Sequence, residues 1–288
     1  MIFDLNNFYN FQQRLYGKNT DRELFLLNWV TRELTERLLF VDRTFEQTLY
    51  YPPLEDNNKN LLLQQAKIAN LTCAYNKNIY LNLKNFTEFW LAAKLENDKY
   101  DLILAPFMLY PREDIVGFLS KIYNALKKDG LFLSVALGEG SLYELKHSLL
   151  QAEMQLTNGA TPRVATFPSL VNMGSILSQV GFYLPVVDLE TVTLSYSDIF
   201  ALMSDLKAMG MQNILTNKLK KISHPKLFKL ANEIYAKNFS NEQGKIIATF
   251  SLIFLSGWRV PDNPPELPKK GSANISLQQA LRDITKKL

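Results

Sequence analysis

Two apolar runs joined by one amphipathic helix constrain this chain most. Lys99-Tyr100-Asp101 leads into Leu102-Ile103-Leu104-Ala105-Pro106-Phe107, a continuous apolar stretch of the kind buried on both faces of a sheet. Ile115, Phe118, Leu119, Ile122, Tyr123 and Leu126 then recur at helical spacing. Pro111 suits the first turn of that helix, Lys127 and Lys128 its carboxyl end, and Gly130 the position just past it. Leu131 to Leu137 follows as a second buried strand. Strand, helix, glycine stop and strand make a βαβ unit, which predicts parallel pairing within an α/β fold.

The flanking segments extend this pattern. Thr48 to Tyr51 and Asn70 to Asn76 are candidate strands, with helices over 23–39, after a cap at Asp21, and over 54–69. Helices are predicted from Ser141 to Leu156, from Ser169 to Val180 with Gly181 as stop, from Ile199 to Met209 behind an Asp198 cap, and from Pro225 to Ala236. Leu184 to Leu194 and Ile246 to Leu255 read as late strands. One domain over 1–260 accounts for all of these. It has an amino-terminal helical segment (1–45) and a helical cover (141–182 and 198–240), and a proline-rich extension (261–288) follows it.

Composition excludes several classes. A net charge of +4, with its densest basic run only Lys218 to Lys221, argues against nucleic acid as a partner. The single cysteine, Cys73, cannot form an internal disulfide and points to a reducing cytoplasm. No stretch reads as a secretory leader or a transmembrane segment, and Ile246 to Trp258 is too short and too interrupted to span a bilayer. His147 and His224 lack metal-binding partners at helical spacing, so no metal site is predicted.

Lys127-Lys128-Asp129-Gly130-Leu131-Phe132-Leu133 resembles the junction before the fifth strand of class I S-adenosylmethionine-dependent methyltransferases, and Tyr100-Asp101-Leu102-Ile103-Leu104 their fourth strand. Thr157 to Val164, Gly181 to Asp188, Phe200 to Gly210 and Ala248 to Trp258 narrow the likeness. Together they resemble the complex I assembly factor 5 family and the related biotin-pathway methyltransferases. The resemblance implies a Rossmann-like, mostly parallel sheet with helices on both faces and a helical insertion after strand five. It also implies S-adenosylmethionine as cofactor and, for the assembly-factor branch, a respiratory complex I subunit as protein partner.

The resemblance fails mainly between residues 48 and 98. The fold places an acidic residue and a glycine-rich turn after strand one, because glycine lets backbone approach the ligand closely. None of the 12 glycines lies between Gly17 and Gly117, and Tyr51, Pro52 and Pro53 occupy the turn. Prolines fix φ and remove amide donors. The second strand ends at Asn76 without a carboxylate, and the fourth at Pro106 and Phe107. These six positions are the nominal cofactor site, and their chemistry predicts weakened binding; Glu55 and Asp56 are nearby substitutes.

Arg163 is a candidate anion or substrate contact in the family-like insertion, or else one half of a structural ion pair. Tyr143 and Trp258 are candidates for the same cleft, with core packing as the alternative. Glu144 and Glu153 are expected to face solvent. No catalytic residue is identified. Three functions remain open: a methyltransferase-like protein acting on a protein partner, a non-catalytic assembly module on the same scaffold, and a small-molecule methyltransferase acting on a carrier-linked acyl group.

Overall fold

The computed structural model describes residues 2–7, 10, 25–51, 56–74, 95–110, 112–157, 159–209, 211–218 and 224–264. Six strands form one sheet: β1 (Thr48–Tyr50), β2 (Leu71–Cys73), β3 (Tyr100–Leu104), β4 (Leu126–Leu137), β5 (Tyr183–Tyr196) and β6 (Ile246–Trp258). Their order is β2-β1-β3-β4-β6-β5. The first four are parallel, and β6 runs antiparallel to both β4 and β5. A parallel block closed by an inserted antiparallel strand is the class I methyltransferase arrangement that the motifs predict.

Helices cover both faces, and the alternation of each strand divides the core in two. On one face Leu102, Leu104, Leu133, Val135 and Phe254 pack beneath α1 (Phe25–Leu39), α2 (Asp56–Gln65), α4 (Tyr143–Thr157), α6 (Ile199–Ala208) and α7 (Pro225–Asn238). On the other, Ile103, Phe132, Ala136 and Leu255 meet α3 (Ile115–Ala125) and α5 (Leu170–Val180). Burial on both sides explains the unbroken apolar runs of β3, β4 and β6.

Local signals set the helix ends. Ser169 and Asp198 accept backbone hydrogen bonds as amino-terminal caps, and Gly181 closes α5 at φ +97°. His224 caps α7 through Nδ1, ahead of Pro225 in the first turn. The expected helix over 54–69 is shorter, ending at Gln65.

Three expectations need correction. The helix before β4 begins at Ile115, capped by Asp114, so Pro111 lies ahead of it. It stops at Ala125, and Leu126 already has extended geometry. Lys127, Lys128 and Gly130 therefore belong to β4 rather than to a helix end. Asp129, not the glycine, takes the left-handed conformation, at φ +60°. Gly130 is needed for close approach: a Cβ there would lie 2.8 Å from the Lys127 carbonyl and 3.1 Å from that of Tyr100. Glu144 and Glu153 are both buried, not solvent-facing.

Asp101 fixes how β1 meets β3. Asp101 is only 4% exposed, and its carboxylate accepts from Glu46 N at 3.0 Å and Gln47 N at 2.9 Å. Its own N–H donates to Gln47 O at 3.0 Å. Replacing Asp101 by Ala orphans two amides at the entry to β1, which costs about 1–3 kcal/mol. Urea unfolding should show that loss, while Asp101→Asn, which keeps one acceptor oxygen, should lose less.

Candidate functional site

In sheets of this type ligands bind beyond the carboxyl ends of the parallel strands. A cleft of about 510 Å³ opens there, past β3 and β4. Leu109, Tyr110, Ala136 and Leu137 line it from the segments after β3 and within β4, Val164, Phe167 and Pro168 from the α4–α5 connection, called here its roof, and Phe3 and Leu215 complete the lining. Among the described residues that line it, Arg112 is the only charged one. Its guanidinium lies over the Phe118 ring at 3.6 Å, and its Nε donates to Met108 O.

Two devices hold the roof. Glu153, on α4, receives the Arg163 guanidinium at both oxygens, Nη2–Oε1 at 2.6 Å and Nε–Oε2 at 3.2 Å. Thr161 adds its N–H and its hydroxyl to the same carboxylate, each at 2.9 Å. Burial alone would raise the Glu153 pKa, but the bonds from Arg163 and Thr161 outweigh it and hold the carboxyl below the usual glutamate range. The amino-terminal strap is the second device. Phe3 bridges to Leu215, Asp4 N donates to Ile214 O at 2.7 Å, and Thr216 N donates to Ile2 O at 3.0 Å. The Glu113 carboxylate accepts from the N–H groups of Ile2 and Phe3. Phe3 then meets Tyr110 edge to face at 5.2 Å, and Tyr110 lies tilted against Phe167 at 5.5 Å. Burial pushes the Tyr110 pKa up to about 12, so its hydroxyl stays neutral and is no proton acceptor near neutral pH.

The candidate substrate residues are dispersed. Arg163 is spent on Glu153, although its neighbours Pro162 and Val164 line the cleft. Tyr143 is half-exposed at the start of α4, edge-on to Phe239 at 5.7 Å. Trp258 pairs with Leu131 at the opposite end of the sheet. His147, half-buried on α4, bonds Gln151 and lies edge-on to Phe239, and His224 serves as a cap. Sequence reasoning missed Phe3, Tyr110, Phe167 and Leu215. Tyr110 had a signal, since it follows a parallel strand's carboxyl end; Phe3 and Leu215 are too far apart in sequence to have one.

The cofactor positions behave differently. Pro52, Pro53 and Asn76 lie outside the described residues, as do Glu55 and most of the basic run near Lys218. Tyr51 is buried, its ring edge-on to Phe118 at 6.3 Å, and its N–H donates to Leu104 O at 2.8 Å. β2 ends in Cys73, and the next N–H, of Ala74, goes to Tyr50 O at 2.9 Å. Pro106 has no N–H, and that of Phe107 is taken by Val135 O at 2.7 Å. S-adenosylmethionine would need open backbone after β1 and a carboxylate after β2. The described residues at these strand ends provide neither. Among the described residues no group of three His, Cys, Asp or Glu side chains is placed to hold a metal.

Comparison with known proteins agrees with the motifs. The chain is 32% identical over 181 residues to arginine-hydroxylase NDUFAF5, mitochondrial, of Danio rerio, covering 63% of this chain and 56% of that protein. It is 28% identical over 164 residues to malonyl-(acyl-carrier protein) O-methyltransferase of Xylella fastidiosa, covering 57% of this chain and 53% of that one. The matched part thus spans about half the length of these relatives. Among solved structures the YcgJ protein of Bacillus subtilis superposes with a TM-score of 0.48 at 12% identity, over 80% of this chain and 98% of that one. No protein-family model matches. The chain is therefore similar to both groups that its motifs resemble.

The roof's ion pair gives a pH signature. A depressed native pKa contributes stability that is complete above the ordinary glutamate value and is lost as pH falls through the native one. Arg163→Leu leaves a buried carboxylate without its cation and should cost about 3–5 kcal/mol at neutral pH. Urea unfolding across pH 3–7 should show the variant's deficit shrinking as Glu153 is protonated.

Proposed function

We propose that this chain is a methyltransferase-like protein, related to complex I assembly factors, that acts on a protein partner and holds S-adenosylmethionine weakly or not at all. One contrast carries the proposal. The substrate half of the site is built and braced, through Glu153, Arg163 and the strap on Leu215, whereas Tyr51, the described cofactor position at the end of β1, is buried with its N–H given to Leu104 O. Drift that spares one half of a site is what a scaffold retained for binding would accumulate. At full loss the protein is a non-catalytic assembly module on a methyltransferase frame.

The relatives support the partner class. The first relatives carry the name of an arginine hydroxylase and others that of a methyltransferase, so the shared frame serves different chemistries, and fold alone selects none. The apolar cleft suits a side chain presented by a polypeptide, its single arginine being already engaged at the wall. A carrier-linked acyl group remains the competing occupant, through the Xylella relative. The reducing compartment expected from the single cysteine, the cytoplasm, remains part of this proposal.

Calorimetric titration with S-adenosylmethionine and S-adenosylhomocysteine tests the cofactor half, and no heat of binding is expected at millimolar ligand. Micromolar binding would restore the enzyme. Affinity capture should recover respiratory-complex subunits, and recovery of acyl carrier protein alone would reverse the ranking.

A further inference from the structure

The sheet ends on β5, which is not built like a guarded edge. It runs for 14 residues and pairs only with β6 among the described strands. Edge strands are normally blunted by lysine, proline, bulges or a covering element, because their free N–H and C=O groups are a template for another strand. β5 contains no lysine or arginine. Its one proline, Pro185, and its one register irregularity, between Tyr183 and Val186, both lie at its amino-terminal end. From Val186 to Tyr196 the register with β6 is regular.

A groove of about 240 Å³ opens beside this edge, between α1 and the β4-β6-β5 surface, at the opposite end of the sheet from the cleft. Val41, Val186, Phe254 and Trp258 are among its walls. Val186 is 57% exposed, and Phe40, just before Val41, is 90% exposed. The rim is acidic. Arg37 meets Glu33 at 3.0 Å, Asp188 at 2.9 Å and Glu190, so three carboxylates against one guanidinium leave two negative charges in excess. The chain as a whole carries +4, which makes this surplus a local feature.

We propose that the free edge of β5 docks an extended, basic segment of a protein partner. The segment adds to the sheet as a further strand, sets an apolar side chain beside Val186 and Trp258, and brings lysine or arginine to the carboxylates around Arg37. Main-chain hydrogen bonds supply affinity in such strand addition, and pockets for alternate side chains supply specificity. Val186, Asp188 and Glu190 are spaced by two and share a face, so the partner must place apolar and basic residues two apart. A second copy of this chain is disfavoured, because an edge without a lysine or arginine offers the rim no counter-charge. This surface does not depend on the cleft or on the cofactor.

The probe is a fluorescein-labelled peptide, Thr-Lys-Thr-Leu-Thr-Lys-Thr, whose symmetry lets it add in either direction. Titration with the full chain, followed by anisotropy, should show saturable binding and slowed amide hydrogen exchange across Val186 to Glu190. Val186→Lys, at an exposed position, should weaken binding at least about tenfold with an unchanged far-UV spectrum. Asp188→Asn with Glu190→Gln, or glutamate in place of the peptide's lysines, should do the same. No binding, or equal binding to Val186→Lys or of the acidic peptide, overturns the proposal. So does a dimer in sedimentation that Val186→Lys abolishes, since the edge would then belong to a second copy. The Val186→Lys protein should give the same S-adenosylmethionine titration as the wild type, so docking and cofactor loss stand or fall separately.

Discussion

The fold depends on β6. It is the one strand inserted antiparallel between two others, hydrogen-bonded along both edges and buried on both faces. The turn from β4 into α4 extends its ladder. Gly138 N donates to Ser251 O at 2.8 Å, Leu142 N to Thr249 O at 2.7 Å, and Ser141 and Ser251 exchange bonds at 3.0 Å. Glu144, fully buried, then accepts from the N–H and hydroxyl of Thr249. A carboxylate is costly to bury without such partners, so the start of α4 has one place to sit. At the far end of β6, Gly257 leaves room for Phe182, which stacks on Phe132 at 5.4 Å.

From that anchor the cleft follows. α4 leaves β6 carrying Glu153, and Glu153 draws Thr161 and Arg163 into a bidentate pair that turns the chain back over the carboxyl ends of β3 and β4. A buried ion pair adds little net stability over an apolar substitute, but it fixes geometry, because an unpaired charge there is far worse than a paired one. The roof is thus specified by electrostatics, while the floor is specified by packing.

Local features were legible. Ser169, Asp198, Gly181 and Pro225 mark helix ends through hydrogen bonds and φ angles set within a few residues. The βαβ unit was legible from its apolar period, although its junction was misplaced. Asp129 takes the left-handed turn and Gly130 serves close approach, a distinction that the Lys127 and Tyr100 carbonyls decide together. Glu144 and Glu153 were misread as surface residues because their partners, Thr249 and Arg163, come from other elements.

The sequence by itself determined the class of fold, the order of elements and the absence of a glycine turn after β1, because periodicity, capping chemistry and glycine content are properties of neighbouring residues. Only the tertiary structure decided that Arg163 braces Glu153, that Trp258 stands away from the cleft, and that β5 is the last strand of the sheet among the described residues. Those outcomes depend on which distant groups meet across the sheet, and the energy of a buried charge or a free strand edge is set by that meeting.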